Sequence, residues 1–434
     1  NEAQITSGTL AYSLGAGKAV ISTPYWYAEE LLADGRGILV PFKDSQAIAD
    51  KVVGLLDDET ERHAMRKRAY LYGRDMVWRS VANQYLESLE RAREGRSAHP
   101  RPAFSAKTLD KRPRELPPVK LTHLERMTDC TGMIQHAKYN VPNYREGYAT
   151  DDNARALVLA VLLEESTECS TETVRSLAAR YLSFVHHAFN TKTGRFHTFL
   201  SYDRKWLDDV GSEDAHGRAL WGLGTVAGRS RDRQFRNLAG SLFDAALPAT
   251  TRFTSPRALA YTLMGVQEYL RRFYGHRGAQ ETRRKLAAKL LDMYRNCSST
   301  EWPWFEDILS YDNAKLPHAL MACGQWMGND EMVEASLAAL RWLCKIQRMD
   351  ADHLVPVGNN GFYRRGGERA RFDQQPLEAH AAVSAFLHAY RMTGDEFWRR
   401  EAHRAFEWFM GENDLGVPMF DPATGGCYDG LEPD

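Results

Sequence analysis

The sequence predicts a mainly α protein, an (α/α)6 helical toroid preceded by a partial α/β, Rossmann-like segment. Three observations carry that prediction. A polar or acidic turn followed at once by an Ala/Leu-rich helix start recurs five times: Thr150-Asp151-Asp152-Asn153-Ala154-Arg155-Ala156-Leu157, Ser212-Glu213-Asp214-Ala215-His216-Gly217-Arg218-Ala219-Leu220, Ser255-Pro256-Arg257-Ala258-Leu259, Ser310-Tyr311-Asp312-Asn313-Ala314-Lys315-Leu316 and Gln374-Gln375-Pro376-Leu377-Glu378-Ala379-His380. Between them lie more charged helices whose apolar residues recur at three- and four-residue spacing, as Leu177, Tyr181, Leu182 and Val185 do. The first part of the chain instead alternates helices with short β-rich runs.

In chain order, residues 1–95 begin with a helix over 8–15 that stops at Gly15-Ala16-Gly17. The run Ala19-Val20-Ile21-Ser22-Thr23 reads as a buried parallel strand, followed by a helix over 28–33 and a second strand over Gly37-Ile38-Leu39-Val40-Pro41. Asp44 and Ser45 cap a helix over 46–57, and helices follow over 58–72 and 77–94. Two strands do not make a doubly wound sheet by themselves, so the remaining strands are expected to be absent or to come from elsewhere. Residues 96–118 are rich in Pro and Arg without apolar period and read as a linker.

Residues 119–434 form the toroid. Outer helices are expected over 122–137, 172–188, 232–246, 280–296, 331–346 and 396–410, and inner helices at the five repeats. The count is one inner helix short of a closed ring, which predicts a gap with exposed apolar faces beside it. The chain starts at Asn1 rather than Met and stops at Asp434, and truncation at both ends is the expectation. Long aromatic connections (194–207, 302–307, 353–372) enter several inner helices, and long loops on one rim are where binding residues collect.

Composition narrows the function classes. With 56 basic against 57 acidic residues there is no electrostatic footprint for nucleic acid. No apolar run is long enough to span a membrane. The cysteines are scattered without CxxC spacing, and no HxH or HExxH pattern occurs. A reduced cytoplasmic setting with neither metal nor cofactor is expected. Gly15-Ala16-Gly17-Lys18 closes a helix rather than opening one, so it does not read as a phosphate loop.

Glycosyl chemistry needs two carboxylates across a sugar-sized gap. Asp152, Asp214 and Glu306 are the candidate catalytic residues, with Glu306 as general acid because Trp302-Pro303-Trp304-Phe305 would surround it with apolar rings. Candidate substrate-binding residues are Asp151, Arg155, Trp206, Glu213, His216, Arg218, Trp302, Trp304, Asp312, Glu378 and His380. His216 and His380 hold equivalent places after their turns, and a histidine pair facing one cavity can exchange a proton at a sugar carbon. The plainer reading of each carboxylate is a helix cap or an ion pair, and of each histidine a packed ring.

Residues 8–24, with Ala28-Glu29-Glu30-Leu31-Leu32 and Gly35-Arg36-Gly37-Ile38-Leu39-Val40-Pro41, resemble the end of a retaining glycosyltransferase of the GT-B fold. The departure is at Tyr12, where that family carries the second glutamate of a donor-binding pair, with Glu2 near the first. The remainder is similar to the helical domain at the C-terminus of some bacterial glycosyltransferases, through Thr150–Ala156, Ser201-Tyr202-Asp203-Arg204, Gly211–Trp221 and Tyr311–Ala314. At fold level it also resembles six-hairpin glycosidases and sugar epimerases. The resemblance implies a glycosyltransferase fragment, itself without transferase activity, fused to a toroid that binds a glycan. Three readings follow for the toroid: hydrolysis by carboxylates, epimerisation or isomerisation by His216 and His380, and glycan binding without catalysis.

Overall fold

The computed structural model describes residues 4–98, 117–166, 169–348 and 351–433, the side chains of 92–98 excepted. They fall into two compact units, Asn1–Arg101 and Pro102–Asp434. Most of the expected linker lies outside the described residues.

In the first unit Ser7 caps α1 (Gly8–Gly15), its side chain accepting from the Leu10 N–H at 3.2 Å. Strands β1 (Ile21–Ser22) and β2 (Ile38–Leu39) pair in parallel, Ile21 opposite Ile38. α2 (Trp26–Leu32) connects them, as parallel pairing requires a crossover. Both strands are shorter than the apolar runs suggested. Asp44 caps α3 (Ser45–Asp57), Asp58 caps α4 (Glu59–Gly73), and α5 (Trp78–Ala98) completes the unit. Its small core is Leu10, Leu14, Tyr25, Ala28, Leu31, Leu32 and Ala69.

The second unit is an α/α toroid. After the short α6 (Thr122–Arg126), inner and outer helices alternate: α7 (Thr150–Glu165), α8 (Thr171–Ala188), α9 (Glu213–Arg229), α10 (Arg233–Ala246), α11 (Pro256–Leu270), α12 (Arg277–Cys297), α13 (Lys315–Met327), α14 (Asp330–Ile346), α15 (Pro376–Thr393) and α16 (Glu396–Glu407). The inner helices are neighbours in sequence order, α7 on α9, α9 on α11, α11 on α13 and α13 on α15, and each also packs on the outer helix that follows it. Small residues let the inner helices be buried on most sides, whereas α10 and α16 bury a single stripe.

Glycine brings α9 and α11 into backbone contact. A Cβ on Gly224 would stand 2.1 Å from the Gly265 carbonyl oxygen, and one on Gly265 would stand 2.4 Å from that of Leu220. Gly228 has the same relation to Glu268, at 2.0 Å.

The sixth sector departs from expectation. Of the outer helix predicted over 122–137 only α6 forms. An Asp129 carboxylate oxygen accepts from the N–H groups of Thr131 and Gly132, at 2.7 and 3.2 Å, and this turn ends the helical course. A Cβ on Gly132 would lie 2.5 Å from Asn153 Oδ1, so the turn is pressed against α7. Ala137–Lys138 then pairs antiparallel with Val141–Pro142. From the far end of the unit, Lys120 Nζ donates to the Pro422 carbonyl at 2.6 Å and the His123 N–H to that of Thr424 at 3.1 Å. Two irregular segments thus close the ring where an outer helix beside a gap was expected. Among the described residues no helix is long and apolar enough to cross a membrane.

Candidate functional site

The inner helices bring their N-terminal turns together around a polar centre. Ser212 caps α9 and Ser255 caps α11, each accepting from the N–H three residues on, at 3.0 and 3.3 Å. Acidic first-turn residues occur in α7, α9 and α15. They do not occur in α13, which begins at Lys315 and leaves Asp312 just ahead of the helix with φ of 48°. That left-handed conformation is uncommon outside glycine, though Asp tolerates it better than most residues.

A buried chain of hydrogen bonds crosses from helix to helix. Arg218 donates to Asp151 at 2.8 Å and to the Tyr261 hydroxyl at 2.7 Å, and Tyr261 donates to Asp312 at 2.7 Å. Arg218 also stacks on the Tyr261 ring, 4.5 Å from its centroid. Burial works against the guanidinium charge, but Tyr261, Asp312 and Asp151 outweigh it. Asp152 binds Arg155, which also lies 3.8 Å from Asp151. Burial first, and Asp151 second, push the Asp152 carboxyl upward.

Behind this chain Glu378 is almost fully buried. Its carboxyl accepts from Asn313 Nδ2 at 2.9 Å and faces the field of Asp312. Burial, then Asp312, raises it to about 7, so it exchanges its proton near neutrality. Lys315 is also buried. Among the described residues its ammonium has neither hydrogen-bond nor ion-pair partner, and it rests 4.5 Å over the Trp221 ring. Desolvation lowers its pKa.

The two histidines separate. His216 is fully buried between Phe196 and Phe253, with Nε2 bonded to the Ala246 carbonyl at 3.1 Å. Burial, then Arg195, lowers it to about 3. It does not reach the polar centre. His380 is exposed on its inner helix, yet protein surrounds it on most sides and it feels Lys315, Asp312 and Arg155. Burial first and Lys315 second lower it to about 4, while its open face keeps it in reach of water.

Several expected roles fail on geometry. Trp302 and Trp304 are buried in the hydrophobic core, with Trp302 packed on Trp342 and Tyr363, so neither offers a face to a sugar. Glu306 therefore has no aromatic pocket. Its carboxylate is held instead by buried Arg257 at 2.6 Å. Asp214 is tied down by the Tyr311 hydroxyl at 2.5 Å and the Ser255 hydroxyl at 2.8 Å. Glu213 accepts from the Thr254 and Ser255 N–H groups, at 2.7 and 2.8 Å, and thereby holds the entry to α11. Trp206 is half-buried and stacks on His197, 4.8 Å between centroids. The polar centre thus gathers Asp151, Asp152, Arg155, Arg218, Asp312, Glu378 and His380. His216, Glu213 and the three tryptophans stand outside it, whereas Asp214 acts on Tyr261, and Arg257, which holds Glu306, acts on Glu378.

Sequence reasoning missed Tyr261 and Lys315. A basic residue opening a helix is disfavoured by the helix dipole, and that anomaly was the available signal for Lys315. For Tyr261, one aromatic residue within an apolar helix, there was none.

Asp151, Asp152 and Arg155 also face a cavity of about 1400 Å³ in the sixth sector, between α7 and the start of α15. Among the described residues no cluster of His, Cys, Asp and Glu is placed to hold a metal ion.

No family model matches the chain, and no curated protein does. Solved structures match it in fold. A sugar epimerase from a ruminal bacterium aligns over 72% of this chain and 87% of its own, at 15% identity and a TM-score of 0.56. Cellobiose 2-epimerase from Bacillus thermoamylovorans aligns over 72% and 88%, at 13% identity and a TM-score of 0.58. A D-mannose isomerase aligns over 72% and 87%, at 10% identity and a TM-score of 0.53. These matches overturn the resemblance to a glycosyltransferase with a helical extension. The fold is that of the epimerase and isomerase toroids, and the transferase reading is withdrawn.

Proposed function

We propose that the toroid acts on carbohydrate by proton transfer at a sugar carbon, as an aldose–ketose isomerase working with a single base. The observation that carries this reading is His380, which stands open beside Arg155 while His216 is sealed in the core. The fold shared with sugar epimerases and a mannose isomerase supports the same class. Two-base epimerisation needs proton donors on both faces of the sugar, whereas isomerisation needs one group serving two adjacent carbons.

In the proposed reaction the neutral His380 imidazole takes the proton from C2 of an open-chain aldose, and the electron pair moves through C1 onto the carbonyl oxygen. Arg155 lies where its charge can offset the resulting oxyanion. The hydroxyl proton passes from O2 to O1 with Asp152 as its acceptor and donor, and the imidazolium returns its proton to C1. Asp151 and Asp152 accept hydrogen bonds from sugar hydroxyls. A base with a pKa of about 4 abstracts weakly, so the barrier falls on oxyanion stabilisation rather than on proton return.

The carboxylate hydrolase reading has less support, because the fold is shared with sugar epimerases and a mannose isomerase. The test is incubation of the protein with glucose, mannose and cellobiose in D2O, followed by proton NMR. Ketose is expected with deuterium at C1, and aldose regenerated by reversal with deuterium at C2, with both absent in His380→Asn. Glycosidic cleavage without C2 exchange, persisting in that variant, would reject the proposal.

A further inference from the structure

We propose that two copies of this chain associate through α5, paired antiparallel along an apolar stripe that the helix holds out to solvent. The pairing is independent of the sugar chemistry proposed above. Trp78, Val81, Ala82, Tyr85, Leu86 and Leu89 recur at three- and four-residue steps and so share one side of α5. Trp78, Tyr85, Leu86 and Leu89 are 84%, 69%, 58% and 65% exposed. Arg79, Asn83, Glu87, Glu90 and Arg91 hold the other side. Most helical stability in proteins comes from packing such a stripe, so α5 calls for something to lie against it.

The stripe is its own complement. Read from either end its spacing is the same, as the identical surfaces of a two-fold interface require. In an antiparallel pair centred between Asn83 and Gln84, Trp78 meets Leu89, Val81 meets Leu86, and the small Ala82 meets the large Tyr85. Each ring thus faces a smaller side chain, where parallel pairing would set ring on ring. The area also suffices. Four side chains exposed to this degree present on the order of 600 Å² per copy, the upper end of what a monomer ordinarily leaves bare. Two copies would together bury about 1,200 Å², the lower bound for a specific, stable interface. A lipid surface fits less well. Helices that lie on membranes carry polar faces rich in Lys and Arg, whereas α5 mixes Arg79 and Arg91 with Glu87 and Glu90. The same mixture favours neither a strongly acidic nor a strongly basic partner.

Analytical ultracentrifugation of the whole chain across the micromolar range tests the pairing, and the expected species has twice the mass of one chain. Leu86→Glu takes two leucines out of each dimer and should weaken association at least about a hundredfold. The side chain is already exposed, so the variant should fold, which circular dichroism checks. Ala82→Arg and Tyr85→Glu should each weaken association as well. An equimolar mixture of those two variants should pair again, because antiparallel contact brings the opposite charges together and leaves native Tyr85 on native Ala82 at the other crossing. A monomer at every concentration overturns the proposal, whether α5 is covered by its own chain or left to solvent. So does a dimer that Leu86→Glu does not disturb. A mixture that stays monomeric rejects the antiparallel pairing. Retention of the chain on phosphatidylglycerol vesicles, lost in Leu86→Glu, would give the stripe to lipid instead.

Discussion

The toroid has a tight side and an open side. Between α9 and α11 the backbones touch through Gly224, Gly228 and Gly265, and no side chain fits between them. Between α7 and α15 the ring is completed by irregular segments around a cavity. His216 and His380 occupy matching places on the two sides, one at 0% exposure and one open. The difference teaches that position after a turn does not decide a residue's role. The closeness of the neighbouring helices does.

The widest separation should come from the two histidines. His380→Asn is expected to lower turnover by about two to four orders of magnitude with little change in unfolding free energy. His216→Asn should do the reverse, because it strips a packed ring from between Phe196 and Phe253. Steady-state kinetics beside urea denaturation reads both, and equal kinetic losses would erase the comparison. Turnover should also decline in acid, as His380 takes up its proton at about 4 and as the Asp152 carboxyl, pushed upward by burial, becomes protonated.

Next in size is Gly224→Ala. The added methyl meets a backbone carbonyl that cannot move aside, so a loss of about 3 kcal/mol or more is expected. Glu378→Gln probes the open side by titration. A carboxyl raised to about 7 from an ordinary 4.5 contributes stability that is complete below 4.5 and is lost as pH rises through 7. The glutamine variant should therefore lose less stability between pH 4 and pH 8 than the parent, by on the order of 3 kcal/mol. His216 acts with the opposite sign. Its folded value of about 3 means that stability falls as pH drops from 6.5 toward 3. The smallest effect belongs to the outer surface, where Arg295→Ala, which breaks the exposed pair with Glu331, should leave the urea midpoint essentially unchanged.

Much of the helical layout was legible from residue pattern. The inner helix starts fall at the repeats, and α8, α10, α12 and α14 lie within a few residues of the periodic stretches. Pattern failed at 122–137, where Asp129 and Gly132 fold a turn against Asn153, a contact no local periodicity encodes. It failed again at Trp302 and Trp304. An aromatic run reads alike whether it lines a cleft or fills a core, and here α14 supplied Trp342 to bury it. The acidic starts of α7 and α15 were legible as first-turn carboxylates. The Asp152–Arg155 pair follows from i,i+3 spacing within α7, whereas the Asp151–Arg218 and Glu378–Asn313 pairs depend on which elements adjoin.

The bond from Lys120 to Pro422 spans 302 residues of chain. Each doubling of a closed loop adds only about 0.6 kcal/mol of entropy cost, so such a closure weighs little on equilibrium stability. It weighs more on kinetics, because hairpins held by local contacts assemble well before distant segments meet. The cavity is therefore expected to form late in folding, which stopped-flow refolding of a variant such as Lys120→Ala would check. It is also the part whose amides should surrender their hydrogens to solvent first.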